Sequence, residues 1–223
     1  MVLEKNPKTR PIAKRLLQLE DKVKGKPFAS MARVLELSNY SCGPATLEML
    51  LSFVGSKATQ KELIKSIRVQ KTIKLYGINI NDMGHAVKIV SRGKLVFWRK
   101  HRANVSDIAL TIDKFKYPVG VEWQGDFYEN EDEDRGHYSV VTSVNKESGF
   151  LRIADPYFNS FFKYKDLDRK YAINDFVKKW WDINEIKVAG SPKRRKIKDT
   201  RVMFVIVPKG ENWPKKLGMV KAS

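Results

Sequence analysis

Apolar residues recur at helical spacing up to about residue 91 of this chain and then give way to β-rich runs; this change of period most limits the folds open to it. The clearest helix covers residues 41–54. There Leu47, Leu50, Leu51 and Val54 repeat at i, i+3, i+4 and i+7, and Gly55 closes the segment. Residues 11–24 carry Ile12, Leu16, Leu17 and Val23 at near-helical spacing between Pro11 and Gly25, which predicts an N-terminal helix or arm. Thr59 with Glu62 makes a capping box for a short helix through about Arg68, and Asp82 opens another that ends near Gly93. The run 95–99 then reads as a strand, Ser106 caps a helix to about Lys116, and Pro118 introduces a strand over 119–123. Residues 137–144 and 150–155 form a hairpin about the turn 146–149. Asn174 caps a helix with Phe176, Val177, Trp180 and Trp181 on its apolar side, and 202–208 is the last strand. Helices first and a mostly antiparallel sheet afterwards define an α+β architecture.

Composition narrows what such a chain can do. Among its 223 residues 42% are hydrophobic and 11% aromatic, enough to bury a core and to exclude wholesale disorder. No stretch approaches the roughly 18 apolar residues of a membrane span, and the N-terminus lacks the apolar core of a secretory signal, so a cytoplasmic location is expected. A single cysteine excludes an intrachain disulfide framework and a multi-cysteine zinc site. The net charge of +18 is concentrated at the ends, with 8 basic and 3 acidic residues in 1–30 and 11 basic and 2 acidic in 187–223. This suggests a basic N-terminal arm (1–30), a central domain (31–186) and a basic C-terminal segment (187–223) carrying a final strand. The densest run, Lys193, Arg194, Arg195, Lys196 and Lys198, is a phosphate-binding candidate. It lacks interleaved aromatics and any nucleic-acid module around it, so a solvated tail or loop is the favoured reading over nucleic-acid binding. Glu129, Glu131, Asp132, Glu133 and Asp134 form an acidic stretch suited to a cationic peptide, an amine or calcium. It does not match an EF-hand loop and reads as solvated; no metal and no cofactor are expected. His85 and His101 read as surface or structural groups, and Trp98, Trp123, Trp180 and Trp181 as core.

The chemistry rests on the lone cysteine. Cys42 sits in Ser41-Cys42-Gly43-Pro44-Ala45, at the start of the strongest helix. Unpaired N–H groups and the positive end of the helix dipole favour a thiolate at such a place, and the thiolate is the form that attacks carbonyls. Gly43 is expected to let a substrate approach the backbone, and Pro44 suits a first helical turn. An inert cysteine capping a core helix is the competing reading. His137 opens one strand of the predicted hairpin and Asp155 ends the other, so a tight turn near 147–149 makes them neighbours. A carboxylate behind an imidazole fixes its tautomer and stabilises its cation, which in turn pairs with a thiolate.

The segments SNYSCGPATLEMLLSFVG, TQKELIK, GININD, MGHAVKI, GHYSVV and IADPYFN, in that order between about Leu35 and Asn159, resemble the papain-like cysteine peptidases that cleave leaders after double glycine, in their stand-alone form. The resemblance implies a papain-like fold, with a helical part around the cysteine helix packed on an antiparallel sheet. It makes Cys42 the nucleophile, His137 the base and Asp155 its orienter, acting on a peptide or protein substrate. Six residues before the cysteine, the family carries a glutamine whose amide helps bind the oxyanion. This chain has Glu36 there, and an ionised carboxylate donates no hydrogen bond. A protonated Glu36, Asn39 as a substitute donor, or loss of hydrolysis with peptide binding retained all remain open. The expected function is cleavage of a peptide or amide bond by a cysteine peptidase or related thiol amidohydrolase. An acyltransferase, an impaired peptide-binding domain on the same fold and a basic nucleic-acid-associated protein are the alternatives.

Overall fold

In a computed structural model the described residues are 27–125, 136–157, 168–187 and 194–222. The helix expected over 11–24, the acidic stretch 129–134 and Lys193 lie outside them. Four helices come first: α1 (Cys42–Phe53), α2 (Gln60–Ser66), α3 (Ile73–Tyr76) and α4 (Ile80–Val90). They are followed by β1 (Leu95–Lys100), α5 (Val105–Asp113), β2 (Val119–Gln124), β3 (Gly136–Asn145), β4 (Phe150–Ala154) and β5 (Asp168–Ala172). The chain ends with α6 (Ile173–Lys179), β6 (Trp181–Lys187), β7 (Arg194–Thr200), β8 (Val202–Pro208), α7 (Trp213–Lys216) and β9 (Val220–Lys221).

Seven strands form one sheet in the order β5-β4-β3-β2-β8-β1-β9, every pair antiparallel. Residues 202–208 thus lie inside the sheet, between β2 and β1. Alternation along β8 explains its unbroken apolar run. Phe204 and Ile206 join the core shared with α1, α2 and α4, whereas Met203, Val205 and Val207 join a second core on the other face, with Ile108, Phe176 and Trp213. The sheet is therefore sandwiched, and the cysteine helix packs on one face only.

The short helix after Thr59 carries the expected capping box: the Thr59 side chain accepts from the Glu62 N–H, and Glu62 reaches back to the Thr59 N–H at 2.8 Å. Two predicted helix starts move by the same rule. Asn79 and Asn104 are the caps, and Asp82 and Asp107 are their third-residue partners, so Asp82 and Ser106 lie inside the first turn. The expected Asn174 cap is likewise displaced, because β5 runs through Ala172 directly into a helix that starts at Ile173. That helix stops at Lys179. Trp180 is its C-cap and is buried, but Trp181 begins β6, where Lys198 covers its ring at 4.5 Å. The basic run from Arg194 is not a solvated loop either: it forms β7, paired to β6 over the register Trp181↔Thr200 to Lys187↔Arg194.

Candidate active site

Cys42 stands at the head of α1, half-buried, in the wall of a cavity of about 680 Å³. The turn before it is closed by Ser41, whose N–H donates to the Ser38 carbonyl at 3.0 Å and whose hydroxyl donates to the same oxygen at 2.9 Å. The hydroxyl is thereby turned away from the helix and gives no side-chain cap. The amides of Cys42 and Gly43 at the helix head are therefore free of a Ser41 side-chain bond, and Pro44 adds no further N–H. Gly43 does not leave the open backbone expected for a substrate. A Cβ there would lie 2.7 Å from Ile78 Cγ1 and 3.3 Å from Tyr138 Cδ2, so the glycine is needed to seat the helix on β3.

The hairpin β3–β4 brings His137 to Asp155. Val140 pairs with Ala154, which sets Asp155 across from Ser139 and diagonal to His137 on the same face of the sheet. His137 Nε2 lies 2.7 Å from Asp155 Oδ1, and both side chains are 2% exposed. With Nε2 so engaged, Nδ1 is the ring nitrogen left for Cys42, whose side chain also hydrogen-bonds the imidazole. Burial alone would lower the His137 pKa. The Asp155 charge and hydrogen bond, helped by Cys42, outweigh it and hold the imidazole well above its ordinary 6.5. For Asp155 burial works upward, yet His137, the guanidinium of Arg169 at 3.7 Å and the Tyr157 N–H at 3.0 Å keep the carboxyl below its ordinary value. Trp123, the cross-strand partner of His137, donates from Nε1 to Ser139 Oγ at 3.1 Å.

Glu36 and Asn39 both line the same cavity. Glu36 is fixed through its backbone. Its N–H donates to the Pro156 carbonyl at 2.8 Å, and the buried Gln60 amide holds both neighbours, accepting from the Leu37 N–H at 3.1 Å and donating to the Leu35 carbonyl at 2.9 Å. Upstream, Arg33 forms a buried two-pronged pair with Asp168 and also donates to the carbonyls of Pro27, Phe28 and Met31. Asn39 is exposed on the turn leading to Cys42.

Sequence reading missed the opposite wall. Asp182, Ile183, Asn184 and Glu185 of β6 line the cavity, and they rest on a buried polar group beneath it. Tyr138 donates to Glu122 Oε1 at 2.5 Å, and Asn184 Nδ2 donates to the same oxygen at 2.8 Å. Burial pushes the Glu122 pKa upward against these bonds. The only trace of this group in the sequence is a glutamate within an otherwise apolar strand, VGVEW. His85 is exposed on α4, and His101 pairs at 3.2 Å with Asp199, both away from the cavity lining. No set of three or more His, Cys, Asp or Glu side chains converges as metal ligands would among the described residues. Nor is any helix among them long and apolar enough to cross a membrane.

A helix that presents a cysteine from its N-terminus to a histidine on an adjoining antiparallel sheet belongs to the papain-like class of cysteine-peptidase folds. Within that class the chain is a member of the Peptidase_C39 like family, whose pattern matches residues 26–188. Among solved structures, the peptidase domain of Streptococcus ComA, a bi-functional ABC transporter involved in a quorum-sensing pathway, shares the fold with a TM-score of 0.51 at 17% identity, over 79% of this chain and 97% of that one. A double-glycine-motif protease domain from a peptidase-containing transporter, solved with its leader peptide, is also similar (TM-score 0.47, 14% identity, 80% and 92% coverage). No curated protein matches the sequence.

Proposed function

We propose that the chain is a thiol-dependent peptidase or amidohydrolase that works through Cys42, His137 and Asp155. The observation that carries this reading is the His137 ring held between Asp155, at 2.7 Å, and Cys42. Cys42 Sγ attacks the carbonyl carbon of a peptide or amide bond. The His137 Nδ1 proton passes to the leaving nitrogen as the C–N bond breaks, leaving an acyl thioester. Water then attacks the thioester, His137 takes its proton, and the thiolate departs with the acid released. An amine in place of water makes the same site an acyltransferase. Asp155 keeps Nε2 protonated and directs Nδ1 toward the sulfur. The Cys42 N–H faces the developing oxyanion, with Glu36 or Asn39 as the candidate side chain beside it. The substrate is a peptide or protein segment.

Alkylation of Cys42 by iodoacetamide at pH 6, followed by mass spectrometry, tests the pairing. His137→Ala is expected to slow labelling about tenfold or more, because the imidazolium that favours the reactive thiolate is lost. Equal rates in the two proteins would overturn the mechanism.

A second reading, peptide binding without hydrolysis on the same fold, is favoured by the carboxylate of Glu36 in the cavity wall. Restoring a donor with Glu36→Gln separates the two. A rise in turnover of about 10²-fold indicates a hydrolase restrained at its oxyanion site; no turnover in either protein supports the binding domain.

A further inference from the structure

Strand β6 walls the cavity and, among the described residues, is paired on one side only, to β7. In an antiparallel pair, successive residues turn their main-chain groups alternately toward and away from the partner. Three hydrogen bonds fix the parity here. The Arg201 N–H donates across the pair to the Trp180 carbonyl at 2.9 Å, the Trp181 carbonyl accepts from Gln124 Nε2 at 3.4 Å, and the Ile183 N–H donates to Asp182 Oδ1 at 2.7 Å; the Glu185 carbonyl is taken by the Arg194 side chain at 3.0 Å. Residues 181, 183 and 185 therefore face the open side, while 182, 184 and 186 hold β7. Two main-chain groups on the open side, the Ile183 carbonyl and the Glu185 N–H, have no hydrogen-bond partner among the described residues. An acceptor at one residue and a donor two residues on are what a single residue of an extended chain running parallel to β6 can satisfy, its N–H to Ile183 and its carbonyl to Glu185.

The cavity also has a sign. Among the described residues, carboxylates of Glu36, Asp182 and Glu185 line it against Lys74 and the imidazole of His137, in a chain whose net charge is +18. Glu185 also meets Arg194 at 3.8 Å and Lys196 at 3.9 Å, both outside the lining, and the lining itself holds three carboxylates to two basic side chains. We propose that an extended peptide bearing lysine or arginine side chains lies parallel to β6 in this cavity, one of its residues bridging the Ile183 carbonyl and the Glu185 N–H. The identity of that peptide as the substrate rests on the peptidase reading; the pairing itself does not.

Amide exchange followed by NMR tests it on the full chain carrying Cys42→Ala, so that no turnover intervenes. The probes are Ac-Val-Lys-Val-Lys-Gly-NH2 and the same peptide with glutamate at both lysine positions. The lysine peptide is expected to slow exchange of the Glu185 amide about threefold or more, by removing it from water. The glutamate peptide is expected to bind about tenfold more weakly through like-charge repulsion. Glu185→Pro deletes the open-side N–H and leaves the bonds to β7 in place, so it should weaken the lysine peptide about tenfold. Glu185→Gln should keep the exchange protection and narrow the gap between the two peptides. Binding of neither peptide, unchanged Glu185 exchange in the bound state, or equal affinity for both overturns the proposal. If Glu185→Pro fails to fold, the exchange result on the Cys42→Ala chain decides alone. Failure of the peptidase reading appears separately, as Cys42 labelling that does not depend on His137.

Discussion

Replacing Asp155 with asparagine removes the charge behind His137 and keeps the shape, so its cost should depend on pH in a way the geometry dictates. The pair is buried, each side chain 2% exposed. The raised pKa of His137 contributes stability that is full below its unfolded value near 6.5 and is lost as pH rises through the folded value. The depressed pKa of Asp155 contributes stability that is present above its unfolded value near 3.8 and is lost as pH falls through the folded value. Both contributions coexist between those two unfolded values, and pH 5.5 lies well inside that window. Removing one partner of a buried ion pair costs about 3–5 kcal/mol. With a urea m-value of about 2 kcal/mol/M, 4 kcal/mol corresponds to a midpoint about 2 M lower at pH 5.5. Above the folded pKa of His137 the ring is neutral, and the asparagine oxygen can accept from Nε2–H. The deficit should then shrink toward the roughly 1 kcal/mol of an ordinary hydrogen bond. Urea unfolding of both proteins across the pH range, followed by tryptophan fluorescence, makes the comparison. A midpoint deficit that is the same on the acid and alkaline sides of the His137 transition, or one below about 0.5 M at pH 5.5, would refute the ion-pair reasoning.

Other perturbations probe the scaffold that holds the site. Arg33→Ala takes the guanidinium from the buried Asp168 carboxylate and should cost about 3–5 kcal/mol by urea unfolding; a loss under about 1 kcal/mol would mean that the pair does not anchor the segment ahead of Glu36. Gly136→Ala places a methyl 2.1 Å from Asp182 Oδ1. It should force the carboxylate aside at about 1–3 kcal/mol and speed amide exchange along β6, and unchanged β6 exchange would contradict the close packing of that strand on β3.

Local signals carried much of the fold. The periodicity of Leu47, Leu50 and Leu51 marks α1, the Thr59–Glu62 capping box marks α2, and the turn at 146–149 sets the β3–β4 hairpin; each depends on residues a few positions apart. Where two polar residues competed to cap a helix, the one with an acid three residues on won, as Asn79 and Asn104 did over Asp82 and Ser106. The hairpin β6–β7 escaped because β6 alternates only over Trp181–Asn184 and β7 is almost wholly polar and basic, so both gain their place from pairing and from packing against Gly136 and Glu122. Cys42, His137 and Asp155 could be singled out because each lies at the end of an element that the sequence already defines. Gln60, which holds the neighbours of Glu36, and Arg33, which ties the segment ahead of it, could not, since their partners at Leu35 and Asp168 are 25 and 135 residues away.

By itself, then, the sequence determined the α+β order of elements, the cysteine at a helix head and the hairpin that makes His137 and Asp155 neighbours, because hydrophobic period, capping and turn chemistry act over short separations. Only the tertiary structure decided that 202–208 runs through the interior of the sheet, that Gly43 is filled by Ile78 and Tyr138, and that β6 closes the cavity with an open edge. Those outcomes depend on which distant surfaces meet, and burial of both faces of one sheet settles that globally.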